Sequence, residues 1–163
     1  MNDLLTERLI LHPFTLAEAE RVAAGQAQPG DNWAADYPSE GERVGAGMFA
    51  KNAANNGARQ PFGGWEIRRR SDGAAIGGLG FHGAPDEHGT VSVGYGLSES
   101  VRGQGYASEA LRAVLAAAPG WGVKRLVGDT DLDNLPSQRV MEACGLTFTH
   151  QDEELKYYGI DLV

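Results

Sequence analysis

A single cysteine, Cys144, stands in 163 residues, which excludes an internal disulfide and any cysteine-rich metal site. Its expected role is that of a small core residue, and no metal centre is expected. Long apolar runs are missing as well. The opening MNDLLTERLILHPF mixes acidic and basic residues among its leucines, so neither a signal peptide nor a membrane span is expected, and a soluble, cytoplasmic protein follows. Positive charge is scarce: 14 Lys and Arg against 22 Asp and Glu give a formal net charge of −8. That balance disfavours nucleic acid and mildly favours a cationic partner. The densest basic stretch, Arg68-Arg69-Arg70, runs into Ser71-Asp72-Gly73 and reads as the solvated flank of a hairpin turn, in preference to an anion or RNA site. Internal repeats and low-complexity segments are absent, so residues 1–163 read as one domain, with 42% hydrophobic residues to build its core.

What is present is an alternation of short strands and helices. Arg8 to His12 predicts a strand, and Thr15 with Glu18 three residues later forms a capping box that starts a helix over TLAEAERVAAGQA. The stretch QPGDNWAADYPSEGE reads as a surface loop, followed by a helix from about Glu40 to Asn55. Within that loop, Trp33 and Tyr37 either pin it to the core or wall a substrate pocket, with Asp36 beside them. Phe62 to Leu97 has the pattern of three consecutive antiparallel strands. Then the period changes: Ala107, Ala110, Leu111, Val114, Leu115 and Ala118 share one helical face, and Pro119-Gly120 is expected to stop that helix. A strand KRLVGDT follows, then a short helix from about Pro136 to Ala143, capped by Asn134 and ended by Gly145. Two more strands, around LTFTH and KYYGIDL, complete the chain. Strand, helix and strand over Val91 to Thr130 imply one parallel pair within an otherwise antiparallel sheet, hence a mixed α/β fold.

Between that sheet and the third helix lies LSESVRGQGYASEAL, Leu97 to Leu111. Gly103 and Gly105 permit a sharp turn and remove obstructing side chains, while the first helical N–H groups have no intrahelical partner and carry partial positive charge. Arg102 adds a full charge. An anion, phosphate above all, suits such a helix start, and a ligand-free strand-to-helix turn is the other reading. A dinucleotide fingerprint does not fit, because Ser108 takes the last glycine position and successive parallel βαβ units are missing. A Walker loop fails for want of Gly-Lys-Ser/Thr.

RGQGYA, from Arg102 to Ala107, resembles the Arg/Gln-x-x-Gly-x-Gly/Ala signature of the GNAT superfamily of acyl-CoA-dependent N-acyltransferases. TERLILHPFT is similar to the opening of the branch that contains ribosomal-protein N-terminal alanine acetyltransferases. GYGLSESVRGQGYASEAL and DNLPSQRVMEACGL resemble that branch's central and later segments. These landmarks fall in the family's order from about Thr6 to Leu162. The resemblance implies a mixed, mostly antiparallel sheet flanked by helices and splayed between the family's fourth and fifth strands. Acetyl-CoA would lie in the splay as co-substrate. Its pyrophosphate would meet the amides of Arg102, Gly103, Gln104, Gly105, Tyr106, Ala107 and the neighbouring Ser108. The backbone near Leu97 would pair with pantetheine, and Asn134 and Ser137 would line the thioester end.

The same resemblance implies direct attack of a primary amine, of a protein N-terminus or a small molecule, on the thioester. Proton removal is the harder half, since alkylammonium groups titrate near about 10.4 and thiols near about 8.5. Many relatives carry glutamate as base where this chain has Ser92. His82, Glu66 and the loop residues Asp86, Glu87 and His88 are the remaining candidates, with His82 closest in intrinsic pKa. Where much of the superfamily has a tyrosine acid, this chain has Met141, and Ser137 is the expected thiolate stabiliser. Two readings follow: an N-acetyltransferase, monomeric or homodimeric, and a catalytically degenerate module that binds or senses acyl-CoA.

Overall fold

Eight strands form one sheet in the computed structural model, which describes residues 1–56 and 60–162, with backbone alone at 54–56. The strands are β1 (Leu4–Leu5), β2 (Leu9–Pro13), β3 (Gly64–Arg69), β4 (Ala75–Phe81), β5 (Thr90–Leu97), β6 (Arg125–Asp131), β7 (Thr147–Gln151) and β8 (Leu155–Asp161). Their spatial order is β1-β2-β3-β4-β5-β6-β8-β7, antiparallel except for β5 beside β6. The expected mixed, mostly antiparallel α/β sheet is therefore present. The two-residue β1 has no sequence signal of its own.

β5 and β6 pair only from Thr90↔Arg125 to Val93↔Gly128, so Gly94 to Leu97 has no ladder partner on the β6 side. β6 stays paired with β8 through Asp131. The sheet splays at this point.

Four helices cover the sheet: α1 (Leu16–Ala24), α2 (Glu40–Asn56), α3 (Tyr106–Ala117) and α4 (Leu135–Ala143). The α1 capping box is fully formed, with Thr15 accepting from the Glu18 amide and Glu18 accepting from the Thr15 amide. Gly25, at φ 69°, ends the helix in the left-handed conformation. The third helix stops at Ala117, just before Pro119-Gly120, as expected, and a 3-10 turn from Ala118 to Trp121 follows it and closes at Gly122, whose amide bonds back to Pro119.

Strand alternation sorts the sheet's side chains onto two faces. Leu9, Leu11, Trp65, Ile67, Leu79, Val93 and Leu97 join Ala110, Leu111 and Val114 of α3 in the larger core. Fully burying a leucine such as Leu111 contributes about 1.5–3 kcal/mol, so this face carries much of the fold's stability. A smaller core of Phe14, Ala19, Val22, Tyr37, Ala46 and Phe49 lies under α1 and α2. On that second face two register rows run across β3, β4 and β5: Glu66, Gly78, Gly96 and, next to it, Gly64, Gly80, Gly94. Five of these six positions have no side chain, so the sheet is bare where α2 passes over it.

Candidate active site

The loop from Leu97 to Tyr106 is built as the glycines require. Gly103 and Gly105 have φ of 78° and 83°, conformations that other residues adopt at a cost of about 1–2 kcal/mol. Gly105 is the N-cap of α3 and offers no side chain to cap it. The first intrahelical bond is donated by the Glu109 amide to the Gly105 carbonyl, at 3.1 Å. The amides of Tyr106, Ala107 and Ser108 precede it and remain orphans of the helix.

Arg102 turns back, and its Nε donates to the Leu97 carbonyl at 3.0 Å, tying the loop to the end of β5. Behind the loop stands a clasp of residues distant in sequence. Arg8 Nη1 donates to the Gln104 carbonyl at 2.8 Å, its Nε donates to Glu109 at 2.7 Å, and its guanidinium lies 4.5 Å from the Tyr106 ring centre. Burial alone would raise the Glu109 carboxyl pKa. The Thr6 hydroxyl and the Arg8 amide and guanidinium outweigh burial and hold it below its ordinary value. On the other flank, Asp36 accepts from the amide and hydroxyl of Ser100, which depress its pKa. Arg8, Thr6 and Glu109 carry no signal of local spacing, although Thr6 to Leu9 contributed to the resemblance.

Across the splay, Asn134 is the N-cap of α4 and accepts from the Ser137 amide at 3.3 Å. The Ser137 hydroxyl stands 3.2 Å from that of Tyr95, which reaches over from β5. Burial raises the Tyr95 pKa, so it is a neutral donor near pH 7. Met141 is buried, and its sulfur occupies the space that a side chain on Gly128 would fill. Met141 is therefore a packing residue.

On the α2 side of the splay a cavity of about 750 Å³ opens. Glu42, Ala46, Phe49 and Ala53, spaced i, i+4, i+7 and i+11 along α2, all line it. Phe14 and Phe49 sit over Gly64, while Gly80 has only backbone within 4 Å of where a Cβ would be. His82, just beyond β4, lines the cavity mouth, bonds Ser92 Oγ through Nδ1 at 3.0 Å and borders Gly94. Glu66 is not part of that lining. Tyr37 donates to one of its oxygens at 2.8 Å and Arg68 to the other at 2.8 Å. Tyr37 both pins its loop and walls the cavity, its pKa pushed up by burial and by Glu66, whereas Trp33 packs on Tyr37 with ring centres 5.5 Å apart. Asp86 accepts from the amides of His88 and Thr90 and organises the β4–β5 loop. Among the described residues no group of three or more His, Cys, Asp or Glu could hold a metal, and no helix is long and apolar enough to cross a membrane.

Residues 8–147 match the family model described as "Acetyltransferase (GNAT) domain". The uncharacterized N-acetyltransferase YjdG of Bacillus subtilis (strain 168) is 33% identical over 111 residues, 68% of this chain and 66% of that protein. An acetyltransferase of the GNAT family from Bacillus anthracis superposes with a TM-score of 0.71 at 20% identity, covering 98% of both chains. RimL, a ribosomal alpha-N-protein acetyltransferase in complex with coenzyme A, gives 0.71 at 18% identity, covering 99% of this chain and 98% of its own. The chain belongs to the GNAT family of acetyltransferases.

Proposed function

We propose that the protein transfers an acetyl group from acetyl-CoA to a primary amine by direct attack on the thioester. The observation that carries this reading is the uncapped start of α3 beside the unpaired edge of β5, Gly94 to Leu97. Orphan helix amides suit a diphosphate, and a free strand edge suits the amides of pantetheine. The same fold holding coenzyme A in RimL supports that donor.

In this reading Arg102 to Ser108 seat the diphosphate, and Asn134 holds the first turn of α4 so that Ser137 faces the thioester end. His82 accepts the amine proton, its imidazole being suited to proton transfer near neutral pH. The N–C bond forms as the C–S bond breaks, and the Ser137 and Tyr95 hydroxyls stabilise the thiolate that leaves. Calorimetry with acetyl-CoA and NADH is the first test, followed by thiol release with a panel of amines. Acetyl-CoA binding without an NADH signal, and thiol release that depends on an amine, are expected. Absence of acetyl-CoA binding ends the reading.

A degenerate acyl-CoA-binding module is the second reading, favoured by Ser92 and the buried Met141 at two chemical positions. Acetyl-CoA binding with no thiol release from any amine would support it. Positioning of two reactants alone gives large rate gains, which keeps transfer the preferred reading.

A further inference from the structure

Glu42, in the first turn of α2, is only 8% exposed, and its Oε1 has no hydrogen-bond partner among the described residues. The other oxygen, Oε2, accepts from the Ser39 hydroxyl. The side chain lies flat on the bare sheet: a Cβ on Gly78 would stand 3.8 Å from Glu42 Cγ, and one on Gly96 3.7 Å from Oε2. The groups around neighbouring Tyr37 are committed elsewhere: Arg68 bonds Glu66 and Glu18, and the Tyr37 hydroxyl donates to Glu66. A buried carboxylate without a counter-charge costs several kcal/mol, and a ligand that brings the charge removes that cost.

The surroundings say what such a ligand carries. The open floor lies over Gly80, with Glu42 at Gly96 and His82 at Gly94 on the neighbouring strand. These two strand positions are about 7 Å apart along β5. Phe14, Phe49 and Phe62 supply apolar walls, and Glu42 is the cavity's one carboxylate among the described residues. We propose that Glu42 receives the ammonium of the acceptor, and that the acceptor is a small monoamine with an apolar body, such as an arylalkylamine. A polyamine would bring further charges with no carboxylate to meet them, and a peptide N-terminus would bury amides against aromatic rings. After proton loss the amine still donates a hydrogen bond to Oε1, leaving its lone pair free to attack.

This inference rests on the amine-transfer reading, so its test has a part independent of turnover. Binding of 2-phenylethylamine, 2-phenylethanol, spermidine and an alanine-led tetrapeptide to the full chain is followed by ligand-observed NMR without acetyl-CoA. 2-Phenylethylamine alone is expected to bind, and Glu42→Gln is expected to weaken it at least tenfold while acetyl-CoA binding is unchanged. In turnover, the loss falls on KM for the amine. Preference for spermidine or the tetrapeptide, or equal amine binding by Glu42→Gln, overturns the proposal even if transfer occurs. Amine binding that depends on Glu42 supports it even if thiol release fails. Gly80→Val is the second variant, should Glu42→Gln not fold. A side chain on the open floor is expected to exclude 2-phenylethylamine and spare acetyl-CoA binding, and unchanged amine binding counts against the cavity.

Discussion

The Tyr95 hydroxyl meets the Ser137 hydroxyl at 3.2 Å across the opening of the sheet, joining β5 to the first turn of α4. Each hydroxyl orients the other, so they act as one unit. Tyr95→Phe and Ser137→Ala are each expected to lower kcat about tenfold, and the double variant little further. Steady-state kinetics with KM for acetyl-CoA as control checks this. Fully multiplicative losses would show two independent roles.

His82 and Ser92 form the second pair, Nδ1 to Oγ at 3.0 Å on the cavity side of the sheet. Removal of a general base costs typically about 10²–10⁴-fold in rate. His82→Ala is expected to fall in that range. Ser92→Glu, placed in the His82→Ala background, is expected to restore part of the rate, because it supplies the carboxylate that many relatives carry. An unaltered kcat in His82→Ala would remove His82 from the chemistry.

Gly103 and Gly105 separate backbone strain from the seat itself. Both have positive φ, but a Cβ at Gly103 meets nothing within 4 Å, whereas one at Gly105 comes within 3.3 Å of Arg8 Nη2. Alanine at either position is expected to lower Tm by a similar few degrees. Only Gly105→Ala is expected to weaken acetyl-CoA binding by calorimetry, because it also presses on the Arg8 guanidinium of the clasp.

The clasp predicts a dependence on acid. Glu109 has a folded pKa below its ordinary value, so the stability it contributes is present above the ordinary carboxylate range and is lost as pH falls through the folded value. Glu109→Gln is expected to lower Tm at pH 7 by about 2–4 °C, which is the shift for about 1 kcal/mol in a chain of this size. Melting curves from pH 7 to pH 3 should converge. A constant gap at all pH values would mean that the loss is one of packing.

Local signals were the legible ones. Thr15 and Glu18, the α3 periodicity and the Asn134 cap each lie within a few residues of their partners, and each formed as read. The Arg102 to Ala107 loop was legible for the same reason. Glu42 was invisible because its meaning depends on Gly78 and Gly96, brought beneath it by cross-strand register that no short spacing reveals. Glu66 belongs with it: only the fold brings Tyr37 and Arg68 to its two oxygens and leaves its neighbour to line the cavity. Pro119-Gly120 was legible as a stop for the α-helix, while the 3-10 turn that follows, which accommodates proline at its start, was not.

Arg8 and Glu109 stand 101 positions apart in the chain, and Arg8 reaches Gln104 across 96. During synthesis the segment around Arg8 must therefore wait until about a hundred further residues have been made before it finds the partner that fixes the Leu97–Tyr106 loop. A nascent chain shorter than this has β2 and β3 to pair but leaves Arg8 without Glu109. The loop's shape is thus a late product of folding, and damage to the first eight residues is felt at a site that looks, along the sequence, far removed from them.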